Sequence, residues 1–203
     1  MAEHVVEHLV EGWILSGGQG SRVGGQDKGL LSWQGHPMAW QVAQRLASQV
    51  TRLTINANRH ASTYAQWPWP VRPDDADLPA LSGPLIGILT GLRHCQSPWL
   101  QVAPCDGPTL PLDLVACLHH AAQEARADVA VPFTPACGEE PERHHWTCAL
   151  IRANAALALE RAIRQGERRV GHWIAQGRWI SVSFERADAF ININTPETWH
   201  AQR

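Results

Sequence analysis

The stretch ILSGGQGSRVGGQDKGL, residues 14–30, decides how the rest of the chain is read. An apolar run, WILSGG at 13–18, breaks into glycine, and Gly17, Gly18, Gly20, Gly24, Gly25 and Gly29 fall within thirteen positions. Backbone of this kind turns tightly and can aim N–H groups at an anion. The pattern predicts a strand, a long glycine loop and then a helix, with phosphate as the loop's natural guest. Arg22 and Lys28 add a planar fork and a point charge able to offset a triphosphate. A flexible surface loop with solvated charges is the bland alternative. Against it, six glycines directly after a buried strand are costly in chain entropy unless the loop does something.

Two better-known glycine loops do not fit. A dinucleotide fingerprint needs G-x-G-x-x-G, but Val23 stands at the third position, and no Asp or Glu occurs from Lys28 through Pro73 to hold a ribose. A P-loop fails because Gln26 follows Gly25 where lysine is required.

Outward from the loop, Ala39, Val42, Ala43, Leu46, Ala47 and Val50 recur at three- and four-residue steps after Pro37, the stripe of a helix packed on a sheet. Strands are predicted at LTIN (53–56), the short VR before Pro73, WLQVAP (99–104), ADVAVPF (127–133), WTCALI (146–151) and WISVSF (179–184). Helices are predicted over 85–95, after Asp113, before Gly166 and after Pro196, and 135–144 reads as a loop. The alternation implies a three-layer α/β fold on a predominantly parallel mixed sheet, Rossmann-like, with ligands at the carboxyl ends of the strands. One domain over 1–203 is expected, a nucleotide-binding part at about 11–110 preceding an acceptor-binding part at about 111–203.

Composition narrows the function classes. With 203 residues, 44% hydrophobic and 18% charged, disorder, coiled coil and collagen are excluded. Lys+Arg number 17 against 19 Asp+Glu, so a broad nucleic-acid footprint is not expected. No apolar run approaches a membrane span, and a cytoplasmic monomer is the expectation. Five cysteines, Cys95, Cys105, Cys117, Cys137 and Cys148, show no C-x-x-C spacing and read as reduced thiols.

Asp106 follows the WLQVAP strand in a Pro/Gly turn, and Asp74, Asp75 and Asp77 follow the VR strand. Phosphoryl and nucleotidyl transfer need positioning, cations on the oxygens and a carboxylate-held Mg²⁺, which Arg22, Lys28 and Asp106 would supply. An Asp in such a turn is more commonly a local cap or Asx-turn. His144, His145 and Cys148 match no zinc spacing, and His119 and His120 read as a solvated helix face. Asn56, Asn58, Asn192 and Asn194 offer amides for a base, ribose or pterin, or simply stabilise turns. GERRV (166–170) reads equally as a phosphate turn or a charged helix start.

Taken together, ILSGGQGSRVGGQDKGL, GHP (35–37), NANRH (56–60), GPLIG (83–87), PCDGP (104–108), GERRV and FININTPE (190–197) resemble the molybdenum cofactor guanylyltransferases, in order and over nearly the whole chain. The resemblance implies a Mg²⁺-dependent transfer of GMP from GTP to the terminal phosphate of molybdopterin, giving the guanine dinucleotide cofactor and pyrophosphate. By the same resemblance Leu15, Ser16, Gly17 and Gly18 line the guanine and ribose pocket with Gly83 and Pro84, and Lys28 meets the phosphates. Asn56 and Asp74 help hold the nucleotide, and Asp106 holds the metal. His145, Arg168, Arg169, Asn192 and Asn194 fall on the pterin side. Other cofactor-biosynthesis proteins and acceptor molybdoenzymes are the implied partners.

The departures are Ser16 for the family's Ala, Val23 for its Met and Trp146 where Pro is frequent, with Asp75 one position from Asp74. Rival readings are a molybdopterin cytidylyltransferase, a sugar-phosphate nucleotidylyltransferase, and, in a different class, a non-catalytic protein that delivers the finished cofactor.

Overall fold

Val10–Ser16 forms the first strand, β1, because its apolar residues divide between two covered faces: Val10 and Ile14 pack to one side, Trp13 to the other. A strand buried on both faces reads as a continuous apolar run. It begins three residues before the predicted Trp13 and ends at Ser16. The computed structural model describes residues 9–17, 26–78, 83–137, 141–185 and 189–190. Gly18, Arg22, Asn192, Asn194 and the helix predicted after Pro196 lie outside the described residues.

After β1 come a 3₁₀ turn, Lys28–Leu30, and a hairpin of β2 (Ser32–Trp33) and β3 (His36–Pro37). Next are helix α1 (Met38–Ala47), β4 (Arg52–Ala57), helix α2 (Ala61–Tyr64) and β5 (Val71–Arg72). Helix α3 (Pro84–His94), β6 (Trp99–Pro104), helix α4 (Leu114–Glu124) and β7 (Val129–Thr134) follow. The chain then forms β8 (Arg143–His144), β9 (Leu150–Arg152), helices α5 (Ala156–Arg164) and α6 (Val170–Ala175), and β10 (Trp179–Ser183).

Among the described residues the main sheet has eight strands, in the order β10-β7-β9-β6-β1-β4-β5, with β8 paired to β7. β1 runs parallel to both β4 and β6, β4 to β5, and β7 to β10. β9 lies antiparallel between β6 and β7. The sheet is therefore mixed and predominantly parallel, as expected. Two corrections apply. WTCALI is strand only from Leu150; Trp146–Ala149 is a turn, tied by the Cys148 N–H donating to the His145 carbonyl at 2.8 Å. Residues 135–144 are not wholly loop, because Arg143 and His144 pair with Thr134 and Phe133.

Helices cover both faces. On one, Val42, Ala43 and Leu46 of α1 and Leu114, Val115 and Leu118 of α4 pack with Val10, Ile14 and Ala103. On the other, Ile88, Leu89 and Leu92 of α3, Leu159 and Ile163 of α5, and Trp173 of α6 pack with Trp13, Leu100 and Val102. Each fully buried Leu, Ile or Val in these layers contributes about 1.5–3 kcal/mol. Among the described residues no helix is long and apolar enough to cross a membrane.

His119 corrects the sequence reading. It is buried, edge-on to Trp99 at 5.7 Å, while the Arg152 guanidinium lies 4.3 Å over the same indole. His120 is exposed, as expected. Burial first, then the Arg152 charge, lowers the His119 pKa from its ordinary value.

Candidate active site

The chain runs from β1 outward through β4 to β5, then crosses back to β6 on the other side of β1. That reversal opens a crevice at the carboxyl ends of β1 and β6, where doubly wound sheets bind ligands. Gly17 leaves β1 at φ +67, and a Cβ there would stand 2.9 Å from the Asn58 amide nitrogen, so the exit requires glycine.

Lys28 and Asp106 meet across this crevice, Nζ to Oδ2 at 2.5 Å, from positions 78 residues apart. Each side chain is about one-fifth exposed (20% and 19%), so the pair is held yet reachable. Asp106 therefore does not spend its carboxylate on a local cap. Lys28 owes its place to Asp27, whose Oδ1 accepts from the Gly29 N–H at 3.0 Å and from the Tyr64 hydroxyl at 2.9 Å. Asp27 is buried and caps the 3₁₀ turn. Ser16 is buried beside the Tyr64 hydroxyl and the Cys105 thiol, on the opposite side of β1 from Leu15. Burial and the neighbouring Asp106 push the Cys105 thiol up to about 12, which keeps it protonated and uncharged beneath the pair.

At the end of β4, Asn56 is buried and donates both to the Arg72 carbonyl (3.2 Å) and to Asp74 Oδ1 (3.0 Å). Asn58 donates to Asp74 Oδ2 at 2.7 Å and accepts from the Asp74 N–H at 2.8 Å. Asn56 thus positions Asp74. Asp75 is held by Arg93 (3.4 Å) and His94 (2.8 Å) of α3, away from this amide pair. Gly83 caps α3 and Pro84 is its first residue. One turn on, a Cβ at Gly87 would stand 2.8 Å from Leu15 Cδ2 and closer still to the side-chain Oδ1 of Asn56. Helical Gly→Ala usually gains about 1 kcal/mol. Here overpacking reverses the sign: Gly87→Ala is expected to lose about 1–3 kcal/mol in denaturant unfolding, and a gain would contradict this packing.

On the other side of Asp106 lies a cavity of about 190 Å³. Pro104, Gly107 and Leu110, flanking Asp106, form one wall, and residues 143–148 with Phe190 form the other. His144 stacks between Phe133 (5.4 Å) and Trp146 (5.0 Å), and Trp146 leans on Trp179. The Trp146 departure builds a wall and leaves the cavity open. His145 is buried, stacked on Phe190 at 4.4 Å, with Nε2 3.3 Å from Thr134 Oγ1. Burial, then the Arg143 charge, lowers the His145 pKa to about 4, so the ring is neutral at pH 7.

For a histidine with a lowered folded pKa, protonation favours the unfolded chain. Stability is full above the unfolded value near 6.5 and falls as pH drops toward 4. The melting temperature is therefore expected to fall between pH 7 and pH 5, less steeply in His119→Gln. An equal fall in the two proteins would contradict the His119 part.

Arg168 and Arg169 are exposed at the start of α6, where the Glu167 carboxylate accepts both backbone N–H groups (2.8 and 2.9 Å) and also meets His172. The Arg169 N–H first, then the His172 ring and the Arg168 N–H, lower the Glu167 pKa to about 2. GERRV thus leads into the first turn of α6 with both arginine side chains exposed. The structure brings together Lys28 with Asp106, Asn56 with Asp74, and Leu15 with Gly87. Sequence reasoning missed Tyr64, Asp27, Arg143 and Phe190. Phe190 and Arg143 adjoin the ININ and HH strings, the one local signal they carried.

The sequence profile described as "MobA-like NTP transferase domain" matches residues 12–178. Curated relatives named molybdenum cofactor guanylyltransferase include one from Ralstonia pickettii, 42% identical over 94% of each chain. Another, from Ralstonia nicotianae, is 44% identical over 92% of each. Among solved structures, molybdopterin-guanine dinucleotide biosynthesis protein A from Archaeoglobus fulgidus superposes with a TM-score of 0.72 at 22% identity, covering 92% of this chain and 93% of that one. A 4-diphosphocytidyl-2C-methyl-D-erythritol synthase from Anaerococcus prevotii shares the fold with a TM-score of 0.71 at 9% identity over 94% of each. With its glycine loop, its Lys28–Asp106 crevice and relatives matched almost end to end, the chain belongs to the MobA-like nucleotidyltransferases, among the molybdenum cofactor guanylyltransferases.

Proposed function

We propose that the protein transfers GMP from GTP to the terminal phosphate of molybdopterin. The Lys28–Asp106 pair supports this reading: it joins the residues that follow β1 and β6, and Asp106 is flanked by Pro104 and Gly107 of the cavity wall. A nucleotide in the crevice and an acceptor in the cavity would meet at that pair. The nucleotide part would thus draw on residues up to about 110 and the acceptor part mainly on those beyond.

In the step, an oxygen of the acceptor phosphate bonds to the α-phosphorus of GTP as the bond from that phosphorus to the bridging oxygen breaks. The electron pair leaves with pyrophosphate, and nothing is oxidised or reduced. A phosphate oxygen is already anionic at neutral pH, so no protein base is needed. The protein's work is positioning and charge stabilisation.

Lys28 turns from Asp106 to the triphosphate, where charge-assisted hydrogen bonds strengthen as charge builds on the leaving group. Asp74, fixed by Asn56 and Asn58, receives hydroxyl or amine donors of the nucleoside. Arg22 lies on the loop expected to wrap the phosphates. Asp106 fits a magnesium ion that arrives with the nucleotide. It is one partly exposed carboxylate, and among the described residues no group of three or more His, Cys, Asp or Glu gathers as a resident metal site. Mg²⁺ characteristically takes one or two carboxylates plus substrate phosphates. When bound it neutralises developing phosphate charge.

Incubation with MgGTP and molybdopterin, with product mass and pyrophosphate measured, tests the reading. Guanine dinucleotide is expected. CTP turned over about tenfold better than GTP, about 1.4 kcal/mol in the transition state, would replace the guanine assignment with cytosine. Wild-type protein that binds GTP yet never releases pyrophosphate would favour a delivery role.

A further inference from the structure

The cavity beside Asp106 has one strongly basic side chain in its walls, Arg143. Arg143 lies on β8 opposite Thr134 of β7. Successive strand residues face opposite ways, so Arg143 sits on the Thr134 side, where His145 also reaches Thr134 Oγ1, while His144 turns to stack on Phe133. The edge strand therefore splits its work: His144 builds the aromatic wall and Arg143 charges the cavity. Among the described residues, no carboxylate forms an ion pair with Arg143, whereas its neighbour His144 meets Glu142 at 3.7 Å. Arg143 is itself exposed, so a ligand entering the cavity can reach it from solvent. Pro104 and Gly107, in the opposite wall, flank Asp106, whose carboxylate meets Lys28.

An acceptor phosphate entering here carries negative charge toward a triphosphate that is itself anionic, and Lys28 is engaged on the nucleotide side. A second cation on the acceptor side lowers that repulsion. A guanidinium fork also fixes which phosphate oxygen faces the α-phosphorus, through paired hydrogen bonds that a point charge does not give. Resting on the guanylyl-transfer reading above, we propose that Arg143 grips the terminal phosphate of the pterin acceptor. It holds that phosphate in line with the nucleotide while the aromatic walls take the flat ring system.

The test varies molybdopterin at saturating MgGTP, and MgGTP at saturating molybdopterin, for wild type, Arg143→Met and Arg143→Lys. Arg143→Met is expected to raise KM for molybdopterin about 10- to 100-fold, the range of one or two hydrogen bonds to a charged group. KM for MgGTP stays within about twofold. Arg143→Lys, which keeps the charge and loses the fork, falls between. An unchanged molybdopterin KM in Arg143→Met overturns the proposal, as does a parallel rise for both substrates. Should Arg143→Met melt early, Arg143→Lys decides on the same two KM values. Wild-type protein that forms no dinucleotide removes the transfer reading and this proposal with it; wild-type turnover matched by Arg143→Met removes this proposal alone.

Discussion

Asp106→Asn is expected to lower kcat for pyrophosphate release about 10³-fold while the protein stays folded, corresponding to roughly 4 kcal/mol of lost transition-state stabilisation. Asparagine keeps the shape of the turn after β6 but removes the negative charge that would hold a magnesium ion. The loss falls on kcat because charge on the transferring phosphates grows as the bond breaks. Stability should change little, since a partly exposed ion pair contributes only about 0–1 kcal/mol. Pyrophosphate release at saturating substrates, set beside a thermal melt, checks both halves. Activity within about tenfold of wild type would remove Asp106 from the mechanism.

Lys28→Met is expected to lower kcat/KM for MgGTP by about 10²–10³-fold, the scale of losing one preorganised donor to a developing anion. Its signature differs from that of Asp106→Asn. The ammonium would also meet the triphosphate in the ground state, so part of the loss should fall on KM for MgGTP as well as on kcat. The two residues face each other at 2.5 Å and serve one transition state. The double variant is therefore expected to be less impaired than the product of the two single losses. Strict multiplicativity would contradict a shared step.

The sequence disclosed the chemistry of the site better than its distances. β1 and β6 were legible because strands covered on both faces leave continuous apolar runs ending in glycine or Pro-Cys-Asp. The α1 stripe was legible for the matching reason, a three- and four-residue period. WTCALI misled because Cys148 and Ala149 are buried as parts of a turn, and burial alone raises hydrophobicity whatever the backbone does. The antiparallel insertion of β9 between β6 and β7 left no local trace. His119 was misread because the residues that bury it, Trp99 and Arg152, come from other strands. Tyr64 sits in a polar stretch whose pattern says nothing of Asp27, 37 residues earlier.

Asp74 and Asp75, adjacent in sequence, have different partners that spacing does not reveal: one carboxylate faces the Asn56–Asn58 amides, the other Arg93 and His94. Lys28 and Asp106 were each singled out from their own motifs. Only the fold puts them in contact.

Following the phosphates of GTP individually shows which phosphorus is attacked. With molybdopterin as acceptor, label in the α-phosphate is expected entirely in the guanine dinucleotide, and label in the γ-phosphate entirely in pyrophosphate. Label from the γ-phosphate on the pterin, with GDP as the other product, would mean that the Lys28–Asp106 crevice directs attack to the wrong phosphorus and would contradict the account.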